Sequence, residues 1–221
     1  MYPTTKFSPL LLTTVIGFSF TTASFYPSHV AANEDSIFSE MATAQPIFAK
    51  NGMVVSQEAI ASQIGVDILK QGGNAIDAAV AVGFALAVTL PRAGNIGGGG
   101  FMLVHIAKDN KTIAIDYRET APGKAHKDIF LDEKGNAVDK LSREHGLAVG
   151  VPGTVMGMEL ALKQYGTMSL QQIVAPAIEL AKNGIEITSD LANSLAGTKN
   201  RISQWPSSTA IFYRPDGSNF E

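Results

Sequence analysis

The sequence predicts a mixed fold of helices and strands, in the α/β or α+β class. Residues 56–88 carry two consecutive helix patterns, residues 101–118 carry the pattern of a β-hairpin, and residues 154–195 return to helix patterns. The 221 residues are enough for one domain. A content of 45% hydrophobic against 17% charged residues is sufficient to bury a core, so we expect most of the chain to be ordered.

The first 32 residues have the pattern of a secretory signal peptide with a short flanking segment. Lys6 is the only charged side chain among them, and it precedes an apolar stretch, Phe7 to Phe20, that is too short to span a bilayer. Small residues predict cleavage after Ala23 or after Ala32, with Ala23 favoured because it lies close behind the apolar stretch. A disordered or membrane-anchored N-terminus is the alternative. We therefore expect a mature protein that begins after Ala23 or Ala32, contains residues 33–221 and is periplasmic or secreted.

Charge and composition exclude several classes of function. Seventeen basic and twenty acidic residues give a net charge of −3, without the clustered Lys and Arg that a nucleic-acid partner requires. The absence of cysteine excludes disulfides, thiolate zinc sites, iron–sulfur clusters and a cysteine nucleophile. The histidines have no metal-site spacing: His29, His105, His126 and His145. The pattern therefore supports neither a metal site nor nucleic-acid binding.

The first helix pattern follows a short apolar segment, Met53 to Val55, for which we predict a strand. Ser56 is the predicted N-cap, and Gly72-Gly73 is the predicted end of the helix. One apolar stripe recurs at a spacing of four residues: Ile60, Ile64 and Ile68.

The second helix pattern begins at Asn74, with Asp77 in the position of a capping box. From Ala78 to Val88 the pattern is apolar nearly all round, which predicts a helix buried on all sides. A membrane helix is the weaker alternative, because Asp77 and Gly83 interrupt the pattern and Pro91 ends it early.

A glycine-rich segment, Gly94 to Gly100, follows the second helix. It matches neither a dinucleotide fingerprint nor a P-loop, since no Lys-Ser or Lys-Thr follows it. Because consecutive glycines lose much entropy on ordering, we expect a place where no side chain fits, at a buried core or an active-site wall. Direct phosphate binding is the weaker alternative.

Two apolar runs, Phe101 to Ala107 and Thr112 to Arg118, predict the hairpin. Their alternation places Asp116 and Arg118 on the face opposite the apolar residues of the second strand. Arg118 ends that strand beside a loop, where its guanidinium suits bidentate binding of a carboxylate. On residue patterns alone, a structural ion pair between Arg118 and Asp116 or Glu119 is equally well supported.

The rest of the chain reads as a loop followed by helices. Residues 119–146 are rich in turn signals, and residues 147–149 have the pattern of a short strand. Helices are predicted over residues 154–165, over residues 170–182 with a kink or break at Pro176, and over residues 189–195. A turn is predicted at residues 214–217.

Four segments in this order resemble the N-terminal part of the large subunit of gamma-glutamyltranspeptidases, also called glutathione hydrolases: Gly72 to Ala81, Ala93 to Met102, Asp116 to Pro122 and Val151 to Val155. The resemblance covers roughly residues 46–221. It implies an α+β fold, the four-layer α-β-β-α sandwich of N-terminal-nucleophile hydrolases, which we expect to be incomplete in this chain. The related cephalosporin acylases share some of these features, so a cephalosporin acylase-like amidase is the alternative enzyme.

The resemblance also implies the chemistry. The family makes a precursor that cuts itself into a large and a small subunit, and the new N-terminal Thr attacks the γ-glutamyl amide of glutathione or a related compound. Water, an amino acid or a peptide then accepts the glutamyl group. No metal and no organic cofactor is implied.

One substrate contact of the family falls on this chain. Arg118, within Asp-Tyr-Arg-Glu, matches the arginine that holds the α-carboxylate of the glutamyl group. No catalytic residue is expected here, because the family nucleophile lies in a Thr-Thr-His motif. None of the Thr-Thr pairs in this chain precedes His: Thr4-Thr5, Thr13-Thr14 and Thr21-Thr22.

We therefore expect part of a γ-glutamyltransferase that requires the missing C-terminal part, or small subunit, of the same precursor. The chain would then be a fragment, a truncated product or one piece of a split gene. A non-catalytic periplasmic module that binds glutamyl groups and a non-functional truncated remnant are the alternatives.

Overall fold

The computed structural model describes residues 46–220, so the predicted signal segment and both cleavage points lie outside the described residues. Residues 49 onward form one structural unit. Its elements are α1 (Ala59–Lys70), α2 (Ala75–Thr89), β1 (Phe101–Ile106), β2 (Lys111–Asp116), α3 (Asp139–Arg143), α4 (Thr154–Tyr165), α5 (Leu170–Asn183), α6 (Ser189–Ile202) and α7 (Pro206–Phe212). Two single 3₁₀ turns, Ala107–Asp109 and Gly146–Ala148, complete the secondary structure of the described residues.

Helix α2 is the central element of the core. It packs against α1, α4 and α5, and half of its apolar side chains are buried: Ile76, Ala78, Val80, Ala81, Val82 and Ala85. The prediction of a buried helix is confirmed for these positions. The side that carries Phe84, Ala87 and Val88 is only half-buried. No helix within residues 46–220 has the length and hydropathy needed to cross a membrane.

A buried carboxylate fixes the start of α2. Asn74 caps the helix, and the predicted capping box is confirmed because Asp77 Oδ2 accepts the backbone N–H of Asn74 at 2.7 Å. Asp77, 0% exposed, also accepts hydrogen bonds from the backbone N–H of Thr167, at 2.9 Å, and from that of Met168, at 3.1 Å. The Asn74 side-chain amide donates to Tyr165 O at 2.6 Å. These contacts join the start of α2 to the end of α4, about 90 residues further along the chain.

Strands β1 and β2 form the predicted antiparallel hairpin, with Phe101 opposite Asp116 and Ile106 opposite Lys111. Asn110 completes the turn in the left-handed conformation, at φ 47°. One face of the hairpin packs into the core through Val104 and Ile115. The opposite face exposes Phe101 and Leu103, which are 64% and 77% exposed.

Two predictions near α1 are wrong. Residues 53–55 are not a strand, because no described segment pairs with them; Val54 packs on the core while Met53 and Val55 are exposed. The N-cap of α1 is Glu58 rather than Ser56, since Glu58 Oε2 accepts the N–H of Ala61 at 2.9 Å. Ser56 Oγ donates instead to Glu58 O.

The second half differs from the prediction in four places. Residues 147–149 lie at a 3₁₀ turn rather than in a strand. Helix α5 is continuous through Pro176, so the predicted break is absent, while the kink stays a prediction. Helix α6 continues seven residues beyond the predicted end at residue 195, and α7 was not predicted. Their packing explains both, since Tyr213, after α7, donates a hydrogen bond to the carbonyl of Leu195 at 2.8 Å.

Candidate functional site

The chain leaves β2 through residues 117–120, which two glycine-rich turns enclose; we call this region the Arg118 corner. On one side Tyr117 N donates to Gly100 O at 3.0 Å. On the other side the backbones of Thr120 and Val151 exchange hydrogen bonds of 3.3 and 2.8 Å. The two turns are joined to each other, because Gly153 N donates to Gly98 O at 2.8 Å. Both turns therefore hold the backbone on which Arg118 sits.

Glycine is required in these turns for steric reasons. A Cβ on Gly99 would lie 2.6 Å from Tyr117 O and 2.7 Å from Glu119 N, and one on Gly153 would overlap Tyr117 O. Real Cβ atoms do not approach other atoms so closely, so any side chain would push the corner apart. The expectation that the glycine run marks a close backbone approach is confirmed at Gly99.

The ring of Tyr117 anchors the corner in the core. It is half-buried against Gly100 and against Gly157 of α4, where a Cβ would overlap the ring. Burial raises the pKa of the Tyr117 hydroxyl above its ordinary value. Because alternate side chains of an extended segment point to opposite sides, the inward Tyr117 directs the next residue, Arg118, outward.

Arg118 is exposed, as the strand alternation predicts. Its backbone N–H donates to Asp116 Oδ1 at 3.0 Å, and this hydrogen bond does not involve the guanidinium. Three ion pairs occur among residues 46–220, and Arg118 is in none of them: Lys70–Asp67, Arg92–Asp190 and Lys182–Glu179. The alternative of an ion pair with Asp116 or Glu119 is therefore not observed. Among the described residues, no carboxylate forms an ion pair with the Arg118 guanidinium, so its five N–H donors are available to a ligand.

A cleft of about 480 Å³ opens beside Arg118. Arg118, Glu119, Thr120 and His126 contribute its polar groups, and its apolar wall includes Phe130, Leu147 and Val149. Such a volume is within the range of small-molecule sites. A cation next to an apolar wall suits a ligand that has a carboxylate and an aliphatic chain. Within residues 46–220, no three His, Asp or Glu side chains are arranged to hold a metal ion.

The family model for gamma-glutamyltranspeptidase matches residues 61–221. The chain belongs to the gamma-glutamyltranspeptidase family. The glutathione hydrolase proenzyme of Escherichia coli is 54% identical over 170 residues, which cover 76% of this chain and 29% of that protein. The corresponding proenzyme of Pseudomonas sp. strain A14 is 50% identical over 179 residues, or 80% of this chain and 31% of that protein. This gamma-glutamyltranspeptidase chain thus spans under a third of the length of these curated relatives.

Solved structures of the family have the same fold. The gamma-glutamyltranspeptidase of Helicobacter pylori matches with a TM-score of 0.77 and 50% identity, over 80% of this chain and 50% of that one. The enzyme of Pseudomonas nitroreducens, complexed with L-DON, matches with a TM-score of 0.70 and 38% identity, over 75% and 49%. The predicted fold class is confirmed: the chain is part of an N-terminal-nucleophile hydrolase fold, with mixed helices and strands.

A cephalosporin acylase of Bacillus halodurans also matches, with a TM-score of 0.64 and 31% identity over 79% of this chain and 33% of that one. The similarity to cephalosporin acylases that the family resemblance implies is thus also found in a solved structure.

Sequence reasoning identified Arg118 but not the other side chains that line its cleft. His126 and Phe130 lie in the loop-rich part of the chain, where neither helix nor strand periodicity relates a residue to a site. The turn signals around Pro122-Gly123 are the feature of the sequence that indicates a reversal of the chain shortly before His126 and Phe130.

Proposed function

We propose that this chain is the N-terminal portion of a gamma-glutamyltransferase, or glutathione hydrolase, that cleaves γ-glutamyl amides such as glutathione. The glutamyl group passes to water, an amino acid or a peptide. The observation that carries the proposal is Arg118, which lies in the family segment Asp-Tyr-Arg-Glu and presents its guanidinium at a cleft. Because the chain spans 29% of the Escherichia coli relative, the activity belongs to the complete assembly rather than to this portion.

Arg118 binds the α-carboxylate of the glutamyl group. A guanidinium can donate two parallel hydrogen bonds to the two oxygens of a carboxylate, which fixes the orientation of the ligand as well as its position. The glycine turns at Gly99 and Gly153 support this role, because they hold the backbone on both sides of the arginine. The substrate is thereby oriented with its γ-amide directed away from Arg118.

The nucleophile comes from the polypeptide that follows this region in the precursor. A Thr freed at a new N-terminus can use its own amine as the base that activates its hydroxyl. An oxyanion hole stabilises the charge that develops on the amide oxygen. No metal or organic cofactor takes part in this proposal.

The partner of this portion is the rest of the same precursor. The outer face of the hairpin supports this, since Phe101 and Leu103 are exposed there while the inner face packs on helices. In a sandwich of two sheets, such an outer apolar face is covered by a second sheet. A stand-alone binding module or a non-functional remnant would leave this surface in water, and neither is favoured. A cephalosporin acylase-like amidase is less supported, because 31% identity is lower than the 54% to a glutathione hydrolase.

The protein is exported to the periplasm or the exterior by the segment at residues 1–32. Mass spectrometry of the protein recovered from cells should find a mature N-terminus between about residues 24 and 33, as signal-peptide lengths require. Recovery of only the full-length protein in the cytoplasm would contradict export.

The test of the function is a reconstitution. The full chain is co-expressed with the polypeptide that follows the matched region in the Escherichia coli glutathione hydrolase proenzyme; we call the product the reconstituted complex. We expect the complex to hydrolyse a chromogenic γ-glutamyl anilide and the chain alone to show no turnover. Turnover by the chain alone would contradict the proposal, and so would a complex that forms and remains inactive.

A further inference from the structure

An apolar groove lies on the side of the molecule formed by α2 and α5. Its volume is about 600 Å³, and Gly94 to Gly97 form one rim. Three residues of α2 and four of α5 line the groove: Phe84, Ala87 and Val88 from α2, and Val174, Ala177, Ile178 and Ala181 from α5. None of the lining side chains is charged.

The positions that line the groove follow helical periodicity. On α2 they occupy positions i, i+3 and i+4, and on α5 they occupy positions i, i+3, i+4 and i+7. Each helix thus directs one apolar stripe into the groove, and α2 and α5 pack directly against each other beneath it. This surface is exposed rather than internal, since Ile178 is 45% exposed and Ile96, at the rim, 56%.

We propose that this groove binds an amphipathic helix of the downstream polypeptide of the same precursor. The inference rests on the proposed function, because that function supplies the partner. Contiguous exposed apolar surface on a soluble protein marks an interaction site. A groove between two packed helices accepts the apolar face of a third helix.

Two observations select the downstream polypeptide as the occupant. The match covers 29–31% of the first two curated relatives, so most of the length of these proenzymes lies outside the matched region and can supply a helix to the groove. The rim at Gly94 to Gly97 is also followed in the chain, after three more glycines, by β1, whose exposed Phe101 and Leu103 belong to the surface already proposed for that partner.

The experiment measures binding without substrate. The full chain is titrated with the downstream polypeptide of the Escherichia coli proenzyme, and the dissociation constant is compared for wild type, Ile178→Glu and the control Ile211→Glu. Ile211 is a matched control because it is an isoleucine on a helix, α7, is 69% exposed and lies outside the groove. Burial of an isoleucine contributes enough that Ile178→Glu should weaken binding by about 10- to 100-fold, whereas Ile211→Glu should not.

A second groove variant distinguishes a loss of binding from a folding defect. Ala181 is exposed and also lines the groove, so Ala181→Glu should weaken binding while the melting temperature stays near that of the wild type. Unchanged binding in both groove variants would overturn the proposal, and so would an equal loss in Ile211→Glu or no binding by the wild-type chain. If the chain alone dimerises and Ile178→Glu abolishes the dimer, the groove belongs to a second copy and the proposal is also overturned.

The outcomes separate this inference from the proposed function. A reconstituted complex that binds through the groove and fails to hydrolyse γ-glutamyl anilide would contradict the function alone. A complex that hydrolyses it and is insensitive to Ile178→Glu would contradict the groove alone.

Discussion

Two charged residues of this chain, Asp77 and Arg118, occupy positions that are opposite in almost every respect. Asp77 is fully buried, and its carboxylate accepts hydrogen bonds from Asn74, Thr167 and Met168. Arg118 is exposed, and only its backbone is hydrogen-bonded among residues 46–220. Asp77 uses its charge within the fold, whereas the guanidinium of Arg118, for which we propose a substrate-binding role, has no side-chain partner among residues 46–220.

The comparison separates a structural charge from a functional one. Burial raises the pKa of Asp77, but the hydrogen bonds from Thr167, Asn74 and Met168 outweigh burial and hold that pKa below its ordinary value. The buried carboxylate is therefore ionised and joins two helices. A residue that binds substrate needs the reverse arrangement, in which the surrounding protein fixes the backbone and leaves the charged group without an internal partner.

The largest expected effect is the loss of stability in Asp77→Ala. The substitution leaves the N–H groups of Thr167 and Met168 without their acceptor and breaks the capping box of α2. Hydrogen bonds to charged groups contribute about 1.5–3 kcal/mol each, so we expect the free energy of unfolding to fall by about 3 kcal/mol or more. Urea unfolding of the full chain measures this. Asp77→Asn is the control and should lose less, because it keeps one acceptor oxygen; a change below about 0.5 kcal/mol in Asp77→Ala would show that the junction is not structural.

The second prediction concerns Arg118 in the reconstituted complex. Arg118→Ala removes the guanidinium, and Arg118→Lys replaces its two parallel donors by a single ammonium. We expect KM to rise by about 10- to 100-fold in Arg118→Ala and by less in Arg118→Lys, with the melting temperature unchanged in both. A fall in melting temperature with a normal KM would make Arg118 a structural residue like Asp77.

Gly99→Ala should affect both stability and KM, because Gly99 contacts the backbone that carries Arg118. The added methyl group would collide with Tyr117 O and Glu119 N, so the corner must shift. Overpacking of this kind costs about 1–3 kcal/mol, and we expect KM to rise as well. Gly197→Ala is the control, since nothing lies within 4 Å of the added Cβ in α6. It should stabilise the chain by about 0.5–1 kcal/mol and leave KM unchanged.

The smallest expected effect is on the pH dependence of the melting temperature. Because the pKa of Asp77 is lower in the folded chain than its ordinary value, the ionised carboxylate stabilises the fold above that ordinary value, 3.8, and this stabilisation is lost as pH falls through the lowered pKa. The melting temperature of the wild type should therefore fall more steeply below about pH 5 than that of Asp77→Asn. Parallel curves for the two proteins would contradict the lowered pKa.

The elements that follow from local patterns were predictable from the sequence. The capping box at Asn74, the hairpin and α4 depend on residues close together in the chain, and all three are confirmed. Residue patterns predicted the mixed fold class and pointed to Arg118, with an ion pair and a ligand site equally open, whereas family resemblance supplied the N-terminal-nucleophile hydrolase fold and favoured the ligand site.

Elements that depend on distant contacts were not predictable. Residues 53–55 have strand composition, but a strand also needs a partner, which no local pattern reveals. The second half of α6 is polar, so periodicity ends at Leu195 although the helix continues to Ile202. The glycine run showed a close approach without showing that Tyr117 and Glu119 are its neighbours.

The measurement that tests the central claim most directly compares two substrates. The reconstituted complex is assayed with a γ-glutamyl anilide and with 4-aminobutyryl anilide, which lacks only the α-carboxylate, in wild type and in Arg118→Ala. If Arg118 binds that carboxylate, the wild type should favour the γ-glutamyl substrate in kcat/KM, and Arg118→Ala should reduce this preference by about 10- to 100-fold. An equal preference in the two proteins would show that Arg118 does not bind the α-carboxylate.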